Sequence, residues 1–172
     1  MKKKVKNPAR QKLGKQSREK GKRYELKIAT AVNKEFLTHY KRTSFQRKSG
    51  ARELMADLQC DPKRDRLKLF IECKYREFSW AELVLGNAEA EGPLGWFIAA
   101  AAKTPPNRRT VLFFYSSRKD FVMYDAHNFS PPGAPTVWEG TVLFPTGIAV
   151  SSLHEFFGVL HAEQGVPKRR EP

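Results

Sequence analysis

Glu72 and Lys74 stand two residues apart in the hydrophobic stretch Leu67–Arg76. In an extended strand their Cα atoms lie about 6.7 Å apart and their side chains leave the same face. That spacing admits a divalent metal at the carboxylate and a phosphate or water beside the ammonium. These are the parts of phosphodiester hydrolysis: a hard cation to polarise phosphate and acidify water, and a positive group near the attacking oxygen. Such a pair alone is more often a solvated contact worth about 0.3–0.5 kcal/mol. Asp57 strengthens the case. It lies fifteen residues before Glu72, in a preceding strand that can fold back and add a second carboxylate. Glu25 is a third carboxylate. On a helical plot it falls between Val32 and Phe36, inside the apolar sector. A glutamate there needs a metal or an ion pair with a Lys or Arg from the sheet, and the sequence leaves both open.

The elements that must position these groups follow from periodicity. Ser17 caps a helix with Glu19 in its first turn, and Tyr24, Ile28, Ala31, Val32 and Phe36 give it an apolar stripe over residues 18–37. Residues 40–47 read as a strand ended by Lys48-Ser49-Gly50, and 55–60 as a second strand. Asp61–Asp65 forms a turn into the third strand, Leu67–Arg76. In that strand Leu67, Leu69, Ile71, Cys73 and Tyr75 make one apolar face, and Lys68, Phe70, Glu72, Lys74 and Arg76 make the other. Helical segments follow near 79–85 and 93–103. Thr110–Ser116 and Phe121–Tyr124 are strands joined by a turn at Ser117–Asp120. A Pro/Gly-rich loop, short strands within 137–150, and a helix capped by Ser151 and running to about His161 complete the chain. This order predicts an α/β fold, a mixed β-sheet flanked by helices.

The chain has 172 residues, enough for one domain, and a net charge of +14 from 32 Lys+Arg and 18 Asp+Glu. Residues 1–23 carry eleven Lys/Arg against Glu19 alone. The expected organisation is a flexible basic arm (1–16), a folded domain (17–165) and a basic tail (166–172). So basic a chain points to a polyanionic partner. The longest apolar run, Trp96–Ala102, is too short to cross a bilayer, and no signal peptide is visible. Two cysteines make no disulfide framework, so a reducing, intracellular setting is expected. The four histidines lack zinc-site spacing, and no Gly-rich phosphate loop signals a nucleotide cofactor.

Glu25 in a leading helix, Arg47-Lys48-Ser49-Gly50 after a strand, Asp57, and Glu72-Cys73-Lys74 closing a hydrophobic strand together resemble the PD-(D/E)XK nuclease superfamily. Within it the chain is most similar to archaeal-type and bacteriophage Holliday junction resolvases, over about residues 17–125. The resemblance implies a restriction-endonuclease-like core and a homodimer that nicks four-way junctions in DNA recombination and repair. It also implies a phage-encoded protein at work on DNA in the bacterial cytoplasm. Asp57, Glu72 and the Cys73 carbonyl would hold Mg²⁺, with Mn²⁺ as a substitute, and Glu25 would complete the site. Lys74 would position water or steady the phosphate. Arg47 and Ser49, with Arg18, Lys22 and Arg23 on the helix, would contact the DNA backbone. Ala56 stands where the superfamily often has proline, and the Ser49–Asp57 gap is longer than in the compact archaeal enzymes. Two alternatives remain: another PD-(D/E)XK nuclease acting on duplex, flap or single-stranded DNA, and a non-catalytic nucleic-acid-binding protein.

Overall fold

The structure, a computed structural model, describes residues 8–43, 56–76, 92–129 and 140–165. Helix α1 (Pro8–Phe36) buries Tyr24, Ile28, Ala29 and Val32 on one face. It begins at Pro8, ahead of the expected Ser17 cap. Proline suits a first turn, where its missing N–H has no partner to lose. From Leu13, which is 66% exposed, to Arg23 the helix carries no buried side chain, so no apolar stripe marks this part in the sequence. Leu37, at φ 51°, ends the helix. The Asn33 amide then clamps the turn: its Oδ1 accepts from the Tyr40 N–H at 2.6 Å, and its Nδ2 donates to the Tyr40 carbonyl at 2.8 Å.

Seven strands follow: β1 (Lys41–Arg42), β2 (Leu58–Gln59), β3 (Leu69–Tyr75), β4 (Arg109–Ser116), β5 (Lys119–Asp125), β6 (Val142–Leu143) and β7 (Ile148–Ser152). They form one mixed sheet in the order β1-β2-β3-β4-β5-β7-β6. Only β3 and β4 run parallel among these described pairs. Helix α2 (Pro93–Ala101) lies between β3 and β4 in the chain, and helix α3 (Leu153–Glu163) follows β7. One core joins α1 and α3 to the sheet through Ile28, Val32, Ile71, Phe113 and Phe156. On the opposite face, Phe97 and Ala100 of α2 cover Leu112, Phe114 and Phe70. The result is the expected α/β architecture, with helices on both faces of the sheet.

Several expectations shift. β3 does not keep one apolar and one open face: Phe70 is 2% exposed beneath α2, as befits a strand with helices on both sides, and Tyr75 is 40% exposed. The last helix is capped by Ser152, whose Oγ accepts from the Glu155 N–H; both serines pair in β7, and Ser151 is buried on the other face of the strand. β1 is shorter than 40–47. The rest of that expected strand from residue 44 on, the 79–85 helix and the 128–135 loop beyond Phe129 lie outside the described residues. Phe97, Phe113, Phe114 and Phe156 are buried core, and Trp96 and Phe157 pack against it. Among the described residues, no helix is long and apolar enough to cross a membrane.

The start of β3 is fixed by a buried carboxylate. Asp65 Oδ1 accepts from the Tyr40 hydroxyl at 2.5 Å and from the Lys68 N–H at 2.9 Å, and Arg108 lies 2.7 Å from Oδ2. The Tyr40 hydroxyl in turn accepts from the Leu69 N–H at 3.2 Å. This network joins the entry to β1, the β2–β3 turn and the entry to β4. Tyr40→Phe leaves the buried acid short of a donor and should cost about 1–3 kcal/mol. Urea unfolding checks it. The midpoint should fall at constant m, and an unchanged midpoint would mean that the network does not anchor β3.

Candidate active site

β2 and β3 pair antiparallel with Leu58 opposite Ile71. One further step in this register sets Asp57 opposite Glu72, so both side chains share a face. The Thr43 N–H donates to the Asp57 carbonyl at 2.9 Å, and the Thr43 hydroxyl to the Ala56 carbonyl at 2.7 Å. The Asp57 side chain then substitutes for the backbone ladder: its Oδ2 accepts from the Cys73 N–H at 2.8 Å. Glu72 lies within hydrogen-bonding reach of Asp57, and Lys74 Nζ is 3.5 Å from Glu72 Oε2. The Glu72 side chain is 13% exposed and that of Lys74 is 39% exposed. From α1, Glu25 is held by the Arg42 guanidinium of β1 and senses the charges of Asp57 and Lys74. The fold therefore gathers Glu25, Asp57, Glu72 and Lys74 from a helix and two strands. The Cys73 thiol faces the core, while its backbone N–H holds Asp57.

The electrostatics follow from this crowding. Burial, then the neighbouring Asp57 charge, pushes the Glu72 carboxyl up to about 7, against the pull of Lys74. Glu25 is also raised, chiefly by burial and next by Asp57, with Arg42 and Lys74 opposing. Burial, reinforced by the acids around it, raises the Cys73 thiol well above its ordinary range. Two half-buried carboxylates side by side call for a proton or a cation between them. Their hard oxygens suit a small divalent cation that retains several waters. Among the described residues, no group of three or more His, Cys, Asp or Glu side chains is placed to hold a metal ion by itself.

Arg42 is the contributor that the sequence reading missed. It follows Lys41 in a two-residue strand, and the pairing of β1 with β2 brings it to Glu25. Arg47 and Ser49 lie outside the described residues. Arg18, Lys22 and Arg23 are exposed on α1 and stand outside the carboxylate cluster; Lys22 pairs with Glu19 at 3.1 Å, and Arg18 donates to the Gly14 carbonyl. A cavity of about 460 Å³ at the opposite end of β3 and β4 is lined partly by Arg66, Lys68, Arg108 and Arg109. Two of these guanidiniums are already engaged, Arg108 by Asp65 and Arg109 by Glu163.

Residues 16–130 match a family described as "phage putative PDDEXK endonuclease". No curated protein and no solved structure matches the chain. The matched span contains Glu25, Asp57, Glu72 and Lys74 and stops short of β6, β7 and α3. PD-(D/E)XK nucleases generally use divalent metal ions, in keeping with the donor set at this cluster. Because the match spans well over half of its length, the chain belongs to the phage PDDEXK endonuclease family.

Proposed function

We propose that the chain is a metal-dependent, structure-selective DNA endonuclease that resolves four-way junctions by paired phosphodiester hydrolysis, acting as a homodimer. The observation that carries the chemistry is the convergence of Asp57, Glu72 and Lys74, with Glu25 beside them. The junction assignment draws on the likeness of this residue order to the resolvases and on the dense basic charge of residues 1–23. Asp57, Glu72 and the Cys73 carbonyl would hold Mg²⁺, or Mn²⁺ in its place. A cation bound there polarises the scissile phosphate and makes the attacking water more acidic. Lys74, more open than Glu72, orients that water or balances charge on the phosphate. Glu25, kept in place by Arg42, completes the acidic wall. Arg18, Lys22, Arg23, Arg47 and Ser49 contact the backbone of the arms, so selectivity rests on branch shape and phosphate position. Two symmetric nicks require two such sites, hence the dimer.

The deciding experiment offers matched four-way junction, linear duplex and single strand, with Mg²⁺ and with EDTA. Paired Mg²⁺-dependent nicks near the branch, with the linear DNAs intact, are expected. Glu72→Gln should bind the junction normally and cut it slower by at least the roughly 10–100-fold that losing even a ligand's supporting partner costs. Equal cutting of all three DNAs would transfer the function to another PD-(D/E)XK nuclease. A Glu72→Gln protein as fast as wild type would refute the site.

The raised Glu72 carboxyl sets a stability window. The folded state holds a proton that the unfolded chain releases near 4.5, so the metal-free protein should lose stability as pH rises from about 4.5 to about 7. Mg²⁺ should replace the proton, stabilising more at pH 8 than at pH 5. Thermal unfolding at both pH values checks this, and Glu72→Gln should shrink the difference, leaving the share due to the raised Glu25.

Deleting residues 1–16 removes seven Lys/Arg. The log–log salt dependence of junction binding should become shallower by up to about 6. An unchanged slope would show that this segment does not meet phosphate.

A further inference from the structure

Tyr75 directly follows Lys74, and Tyr24 directly precedes Glu25. Tyr75 is also the register partner of Tyr115 across the parallel β3–β4 pair. Their rings stack with centroids 4.7 Å apart and planes 11° from parallel. Tyr24, itself 3% exposed, meets both rings edge-on at 5.8 and 6.3 Å. This wedge keeps the pair from turning into the core, and Tyr75 remains 40% exposed. An exposed ring already ordered by two others loses little rotamer freedom when something stacks on it.

Exposed cations lie at one end of this cluster. Lys74 and Arg76, next to Tyr75 in the sequence, leave the opposite face of the sheet, where Arg76 lies 5.9 Å over the Trp96 ring. At the β4–β5 turn, Ser117 and Arg118 both take left-handed backbone (φ 49° and 63°) without glycine or asparagine. Such strain gathers where a segment has a task beyond connection. It sets exposed Arg118 and Lys119 close after Tyr115. The nearby acid, Asp120, is already held by Lys27 at 2.5 Å.

We propose that Tyr75, backed by Tyr115, is a stacking platform for an unpaired nucleobase of the DNA beside the cleavage site, with Arg118 and Lys119 of the adjoining β4–β5 turn receiving its flanking phosphates. The inference rests on the nuclease reading above. Every base has a π-face, so the platform is indifferent to sequence. Bases inside a duplex are already stacked, so it favours branch points and other unpaired positions. Charge alone cannot make that distinction.

The test uses the full chain in EDTA with a four-way junction carrying 2-aminopurine at a branch nucleotide, and a linear duplex as the control. Wild type and Tyr75→Phe should give the same emission from the probe. Tyr75→Ala and Tyr75→Leu should both change it and weaken junction binding by about 5- to 150-fold, with duplex affinity unchanged. The leucine variant retains apolar bulk, and urea unfolding of each variant confirms folding. Unaltered emission in both variants, or an equal loss of duplex binding, would overturn the platform while junction cleavage in Mg²⁺ kept the nuclease reading intact. A wild type that cuts no DNA but shows the Tyr75-dependent emission would refute the nuclease reading and uphold the platform.

Discussion

Two carboxylates that repel each other, Asp57 and Glu72, are held within hydrogen-bonding reach at the point where β2 stops pairing with β3. Left to electrostatics they would part. They stay together because each is held through backbone: Asp57 by the Thr43 and Cys73 N–H groups, Glu72 by its place in a seven-residue strand paired on both sides. Much of the remaining structure serves that confinement. The Asp65 network determines where β3 begins, and therefore which residue arrives opposite Asp57. The Asn33 clamp sets the entry to β1, and through Thr43 the height of Asp57. A conflict stored in this way gives a cation a reason to bind, because it relieves repulsion that the fold alone has created.

The division of the fold follows from this. β3 and β4, the parallel pair, are covered by helices on both faces and hold the rigid end of the site. β1 and β2 are short; β1 contributes Arg42, and Asp57 stands just ahead of β2, its backbone fixed by a few specific bonds. Rigid strands define the direction of Glu72 and Lys74, and the short strands bring a second carboxylate to Glu72 and a cation to Glu25.

Much of this was legible in the sequence, for physical reasons. The alternation of Leu69, Ile71 and Cys73 marks a buried strand, and the apolar setting of Glu25 on its helix marks a group that must find a partner. That partner was not legible. Two readings, a metal or an ion pair, were open at Glu25, and the structure supplies Arg42 while keeping Glu25 near Asp57. Periodicity reports burial and is silent where none occurs, so the helix ahead of residue 18, with no buried side chain from Leu13 to Arg23, went unseen. Phe70 was misplaced because a parallel strand buries both faces, and alternation describes only strands with one face open. Ser151 and Ser152 are one residue apart and both pair in β7, and only their alternation across the strand separates the buried one from the one that caps.

The continuity of α1 has a mechanical consequence. A helix rises about 1.5 Å per residue, so the stretch from Pro8 to Lys15 lies about 15–25 Å along the axis from Glu25. At physiological salt, charges interact freely only within about 8 Å. The basic end of the rod is thus too far away to tune the ionisation of the carboxylates, yet it is joined to them by an unbroken, stiff element. It can act as a gauge: whatever polyanion it grips is set at a fixed stand-off from the acidic cluster, so reach, and not field strength, relates the two ends of the helix.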